Sequence, residues 1–276
     1  MDQRCILTEP PGRAPYYLFP ALSQYPFLRH GFSTRLGGVS QRAEFATMNL
    51  DLRHGDDRAL VLTNYRRICD SIGIPVESLV LTDQVHQTEI RSVTAQDCGK
   101  GIWREKDYQG VDGLITAEPC VTLTVFGADC VPLFFVSGAG HVIGTAHAGW
   151  RGTLAGIAPK MVRRFQEDYG VAPSEIEVVI GPSICRSCYE VSKEVADAFF
   201  QTYPQLSAYA LKQKNEEKYQ LDLWEMNRQL LLRMGVLPER ITISGVCTCC
   251  HPELLFSHRA SNGKRGLLAG FLMMTE

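Results

Sequence analysis

A mixed α/β fold in a single domain is what the amino-acid sequence predicts, and three observations predict it. Apolar runs of strand length alternate with stretches of helical periodicity. Several of those runs follow one another too closely to leave room for a crossover helix. No Ser-, Gly- or Pro-rich linker divides the 276 residues. The strand runs, rich in Val, Ile and Phe, fall at 121–126, 132–136, 141–146, 176–180 and 240–245, each bounded by Gly, Pro, Asp or a charge. The close spacing of the first three predicts antiparallel pairing among them and disfavours a purely parallel doubly wound sheet. Helices are expected from a cap at Asp56 or Asp57 through Ile72, from a cap at Thr153 through Tyr169, and over 190–202 and 222–234. Pro159 lies near the start of the second and would delay it. With no fixed-period repeat and no low-complexity run, the expectation is one layered domain over 1–276, its mixed and antiparallel sheets flanked by helices.

Composition narrows the function classes. A formal charge of -2, with Lys and Arg scattered among acids, leaves no electrostatic footprint for nucleic acid or an anionic membrane. The start Met1-Asp2-Gln3-Arg4-Cys5, followed by Pro10, Pro11 and Pro15, lacks the apolar core of a signal peptide, and no apolar stretch is long enough to span a bilayer. A cytoplasmic protein is expected. In that compartment the ten cysteines read as reduced thiols or metal ligands rather than a disulfide framework.

Three segments share one local character, an apolar strand ending in a residue able to bind metal or do nucleophilic chemistry: Thr82-Asp83-Gln84-Val85-His86, Gly127-Ala128-Asp129-Cys130-Val131-Pro132, and Gly144-Thr145-Ala146-His147-Ala148-Gly149-Trp150-Arg151-Gly152. Two imidazoles and one thiolate form a catalytic zinc set that leaves a fourth position for water or substrate. A lone His in an apolar strand is also an ordinary core residue, and free Cys is commonly buried. No two of the three lie at a diagnostic short interval, so spacing alone leaves both readings standing.

Those strings, with Gly31-Phe32-Ser33-Thr34-Arg35-Leu36-Gly37-Gly38-Val39-Ser40, Gly181-Pro182-Ser183-Ile184, Tyr189-Glu190-Val191 and Cys247-Thr248, resemble the laccase-domain family, also called YfiH-like or polyphenol oxidase family. The resemblance runs in order from about residue 28 to the C-terminus. It implies a purine nucleoside phosphorylase with associated adenosine deaminase and methylthioadenosine phosphorylase activities. It also implies a zinc ion on His86, Cys130 and His147, with a purine nucleoside and phosphate as small-molecule partners, and a layered α/β fold similar to bacterial cysteine deamidase toxins. Two departures stand out: Ser257-His258-Arg259 has His where the family often has Tyr, and residues 98–110 look like an insertion.

Around the triad, Ala148-Gly149 and Gly152 keep the backbone slim ahead of a helix start that could face an anion, and Arg151 adds a fork suited to phosphate. Arg151 is equally readable as a structural ion pair and Trp150 as core. Asp129 is a candidate for orienting a ligand or for a turn. Arg35, Asn49 and Arg259 are candidate substrate contacts through their place in the family-like strings. Phosphorolysis would orient phosphate on cleft cations to attack the ribose anomeric carbon, and deamination would use water activated by the metal.

Three other functions compete. A copper-dependent polyphenol oxidase fits the family's older name, but it wants a compact Cys-to-His loop, and a multicopper enzyme wants His-x-His pairs that this chain lacks. A metal-free cysteine hydrolase would use Cys130 as nucleophile with His147 or His86 as base. Hydrolytic editing of a peptidoglycan precursor would use the same zinc. Elsewhere, Cys185-Arg186-Ser187-Cys188 and Cys247-Thr248-Cys249-Cys250-His251 could supply a closed structural zinc site; the first Cys-x-x-Cys spacing suits it, but Cys247-Thr248-Cys249 is too tight for the usual knuckle, and by default the group is expected to be packed, reduced thiols.

Overall fold

The computed structural model describes residues 4–53 and 55–276. Met1-Asp2-Gln3, on which the leader reading partly rests, lies outside the described residues. Among the described residues the chain runs through β1 (Ile6–Thr8), β2 (Tyr16–Leu18), α1 (Pro20–Ser23), β3 (Leu28–Ser33), α2 (Arg58–Ile72), β4 (Leu79–Leu81), β5 (Glu89–Ser92), β6 (Val111–Thr116), β7 (Thr122–Gly127) and β8 (Val131–Ser137). It continues through β9 (Val142–Ala148), α3 (Trp150–Leu154), α4 (Ile157–Tyr169), β10 (Ile176–Ile180), β11 (Glu190–Ser192), α5 (Lys193–Thr202) and α6 (Pro204–Ala210). The last elements are β12 (Leu211–Gln213), β13 (Lys218–Leu221), α7 (Leu223–Arg233), β14 (Ile241–Ile243) and β15 (Leu268–Met274). No helix among the described residues is long and apolar enough to cross a membrane.

Two six-stranded sheets, β1-β2-β3-β15-β7-β4 and β14-β10-β8-β9-β6-β5, lie face to face, and β11-β13-β12 form a small third sheet. Both large sheets are mixed: β4 pairs parallel to β7, and β10 pairs parallel to β14, while β8, β9 and β6 pair antiparallel in sequence. Strand alternation sets the layers. On β15, a Cβ at Gly270 would run into the Phe134 ring of β8, whereas Gly31, paired with Phe271, faces Ile72 of α2. The first sheet is thus sandwiched between α2 and the second sheet. The opposite face of the second sheet packs Leu133, Phe135 and Ala146 against Met161, Val162 and Phe165 of α4 and Met226 and Leu230 of α7. Truncating a fully buried aromatic at the sheet interface, such as Phe134→Ala, would cost about 3–5 kcal/mol.

Sequence chemistry explains most elements. Asp57 caps α2 by accepting from the Ala59 N–H at 2.7 Å, Gly73 closes it at φ 78°, and Val61, Tyr65, Ile68 and Ile72 recur on its buried face. Asp222 caps α7 in the same way through the Glu225 N–H. Three expectations need correction. The runs at 121–126 and 132–136 do not pair: β7 joins β15 and β4 in the first sheet and β8 belongs to the second, because the 128–130 turn carries the chain across the sandwich. Thr153 is not a cap; Gly156 at φ 80° breaks the run, leaving Thr153 inside α3 with its hydroxyl on the Ala148 carbonyl, while Pro159 sits in the first turn of α4 where no N–H is needed. The helix expected over 190–202 begins at Lys193, after β11 has paired with β13.

Candidate metal centre and active site

Cys130 immediately precedes β8, and His147 lies on β9 beside Pro132 of β8, so both face the gap between the two large sheets. His86 stands in the turn beyond β4 at φ 65°, its ring 4.8 Å from that of His147 and steeply tilted to it. The three ligand atoms all lie within 4.8 Å of one another. His147 is 3% exposed, Cys130 is half-buried and His86 faces the opening. Gly149 makes room for them: a Cβ there would sit 2.9 Å from Cys130 Sγ and 3.1 Å from a carbon of the His86 ring. The donor set and its convergence fit an open zinc site of three protein ligands.

Asp112, on β6, organises the group and escaped the sequence reading. Its carboxylate accepts from the N–H groups of Val85, His86 and Gln87 at 3.0, 3.0 and 2.9 Å, which stabilises a turn whose central non-glycine residue has positive φ. The same carboxylate meets His147 Nδ1 at 2.8 Å, leaving Nε2 to face the metal position. In the sequence Asp112 is one acid among thirty, and only the fold shows that it is fully buried, where an acid needs partners.

Burial opposes ionisation of Cys130, but the charge and hydrogen bond of His147, joined by His86, outweigh it and push the thiol down to about 6. Burial also works against a charged His147, and the Cys130 thiolate with Asp112 overcomes it, raising the imidazole to about 9. Asp112 is held below the usual carboxylate range: burial pulls the other way and is outweighed by His147 and the N–H groups of Val85 and Gln87.

The triad forms one wall of a cavity of about 100 Å³, also lined by Asp51, Arg53, Gln84 and Arg265. Arg265 is a mostly desolvated guanidinium whose Nε is buried without a hydrogen-bond partner among the described residues. Beyond the 85–87 turn, residues 101–110 border a separate open groove of about 920 Å³ with Trp103 and Lys106.

The other candidates fall in different places. Arg151 is exposed, with its guanidinium 4.2 Å over the Trp150 ring. Arg259 donates its N–H to Asp129 Oδ2 at 2.6 Å and its side chain to the carbonyls of Cys188 and Glu190. The Arg259 guanidinium also lies 5.4 Å over the ring of Tyr189, whose phenol burial and then Cys130 raise well above its ordinary value. Asp129, at φ 104°, also accepts from Thr248 Oγ1 at 2.6 Å and so braces the turn that presents Cys130. Arg35 lies over Phe256, bonds the carbonyls of Ala46 and Pro252, and lines a different cavity of about 280 Å³. Asn49 is fully buried and accepts from the N–H groups of Asp51 and Leu267, two residues of the triad's cavity, so it shapes that cavity from behind. All ten cysteines are free of disulfides.

Comparison with known proteins shows the family and the fold. The family model described as multi-copper polyphenol oxidoreductase laccase matches residues 29–275. The chain is 40% identical over 250 residues to the purine nucleoside phosphorylase YlmD of Bacillus subtilis (strain 168), covering 89% of this chain and 88% of that one. It is 42% identical over 250 residues to the protein of the same name from Geobacillus stearothermophilus, covering 89% of this chain and 90% of that one. The crystal structure of YlmD from Geobacillus stearothermophilus superposes with a TM-score of 0.91 at 38% identity, over 99% of this chain and 100% of that chain.

Proposed function

The chain belongs to the multi-copper polyphenol oxidoreductase laccase family, and on that premise we propose that it is a zinc-dependent, cytoplasmic purine nucleoside phosphorylase working at the His86, Cys130 and His147 centre. The observation that carries this reading is the convergence of one thiol and two imidazoles on a cavity also lined by Arg265, whose buried Nε has no hydrogen-bond partner among the described residues. Relatives named purine nucleoside phosphorylase support the substrate class.

His86, Cys130 and His147 would hold the ion, which when bound supplies Lewis-acid charge at the position the three ligands leave open. Asp112 fixes the tautomer of His147 and the turn carrying His86. Arg265 and Arg53 present positive charge to a phosphate. A cavity of about 100 Å³ accepts an anion of that size and leaves the nucleoside lying across its mouth. In phosphorolysis a phosphate oxygen bonds to the anomeric carbon as the C–N bond to the purine breaks, its electron pair leaving with the base; the arginines hold the nucleophile in line. Phosphorolysis of methylthioadenosine and deamination of adenosine belong to the same proposal.

The test is metal analysis of the purified chain together with product identification after incubation with inosine or adenosine, with and without phosphate. Ribose 1-phosphate and free base in a metal- and phosphate-dependent yield are expected; absence of base release from any purine nucleoside by zinc-loaded protein would sink the reading.

One observation favours a second reading. Cys130, His147 and Asp112 stand in the order nucleophile, base and orienting carboxylate, with the thiol already acidified. A metal-free cysteine hydrolase would keep turning over after chelation, and a phosphorylase dependent on the three ligands would not.

A further inference from the structure

A second group of metal-type side chains lies outside this centre. The sulfurs of Cys185, Cys188, Cys247 and Cys250 all fall within 4.8 Å of one another. The distances resolved as contacts are 4.0 Å for Cys185 to Cys250 and 3.5 Å for Cys188 to Cys250. Four sulfurs at about 2.3 Å from a tetrahedral zinc are about 3.8 Å apart, so these values bracket a tetrahedron's edge and are far longer than a disulfide. Cys247 Sγ also accepts backbone N–H bonds from Cys185 at 3.3 Å and Cys250 at 3.4 Å, the pattern expected of an acceptor thiolate at the head of a chelating turn.

The pairing explains the sequence as well. Cys249 made the C-terminal string look too tight for a knuckle, but it is not one of the four; Cys247 and Cys250 are themselves a Cys-x-x-Cys pair, matching Cys185 and Cys188. Two such pairs, brought together by the bridge between Ser183 and Cys247, form a four-sulfur set with no nitrogen or oxygen donor and no position left for substrate. We propose that Cys185, Cys188, Cys247 and Cys250 bind a second, thiophilic tetrahedral metal ion of the zinc class, as a closed structural site.

Its effect would reach the first centre through Asp129. The Ile184 N–H, next to Cys185, donates to the Asp129 carbonyl at 3.0 Å, and Thr248, next to Cys247, donates to its carboxylate. The site therefore staples together the two loops that seat the residue preceding Cys130. This inference stands whether or not the phosphorylase reading does, because it rests on a different set of ligands.

The experiment loads the full chain with zinc or cobalt and counts metal per chain in the wild type and in Cys188→Ser, Cys249→Ser and Cys130→Ala. Two metals per chain are expected in the wild type and in Cys249→Ser. Cys188→Ser and Cys130→Ala are each expected to fall to one, and only Cys188→Ser should lose the cobalt absorption of a four-sulfur site. If Cys188→Ser does not fold, the wild-type cobalt spectrum decides, since a four-sulfur chromophore differs from a one-sulfur, two-nitrogen one. A wild-type chain without the four-sulfur spectrum, whatever its metal count, or a Cys188 to Cys250 disulfide found by mass mapping under anaerobic purification would overturn the proposal; one metal per chain with that spectrum would instead leave the mixed centre empty and count against the phosphorylase reading alone. Loss of the second metal in Cys249→Ser would also overturn the proposal.

Discussion

The two cysteine-bearing centres are built on opposite plans. His86, Cys130 and His147 come from three separate strand ends, mix nitrogen with sulfur, and open onto a cavity lined by Arg53 and Arg265. Cys185, Cys188, Cys247 and Cys250 come as two short chelating turns, are all sulfur, and are not among the residues lining that cavity. A site that does chemistry needs an open position and must gather different groups around it; a site that pins loops needs only its own ligands. The contrast teaches that ligand spacing in the sequence is a guide only to a site built from short chelating turns, and is silent about one gathered from separate strand ends.

The comparison breaks most visibly at Cys130. Cys130→Ala should abolish nucleoside cleavage and strip metal from the mixed centre while leaving the four-sulfur group's metal in place; loss of both metals would show that the two sites are not independent. Asp112→Asn should come next: the amide still fits but no longer accepts all four donors, so zinc affinity at the mixed centre should weaken roughly 10- to 100-fold, read by competition with a chelator. Unchanged affinity would reduce Asp112 to a loop brace. Arg265→Ala should raise the phosphate KM by about 10- to 100-fold, the value of a buried charge-assisted bond, with metal retained. Exposed Arg151, stacked on Trp150, should show at most a few-fold effect in Arg151→Ala, confined to the phosphate-dependent reaction. Equal phosphate defects in the two variants would move the anion out of the cavity towards Arg151.

The smallest effect is a shift in a profile. In metal-stripped protein the Cys130 thiolate forms as pH rises through about 6, so its alkylation, mapped by mass spectrometry, should increase through that value rather than through the ordinary thiol range. Zinc should suppress the modification throughout. A midpoint near 9 would mean that the pair with His147 does not exist in solution.

Much of this was legible before any coordinates. Asp57, Gly73 and Asp222 announce their helix ends, and the Val- and Ile-rich runs announce five strands, because caps and apolar runs act over a few residues. Which sheet a strand joins was not, since β7 and β8 have the same local character and only the turn at Asp129, at positive φ, sends them to different layers. The three ligands were picked out by their strand-end setting and by family resemblance, whereas Asp112 and Arg265 had no local pattern and became visible only when β6 and the approach to β15 met at the same gap. Arg35 shows the reverse: its string is family-like, yet its guanidinium is occupied by Phe256 and two carbonyls away from the triad's cavity.

Gly149 has ordinary strand-like backbone angles, so it is there for room and not for flexibility. Any side chain in its place would press on a thiol at 2.9 Å and an imidazole carbon at 3.1 Å at once. The position therefore works as a marker of lineage and competence: a sequence that keeps all three ligands and this fold but carries Ala, Ser or larger there would be a pseudoenzyme, folded like its relatives and unable to close three donors around one ion.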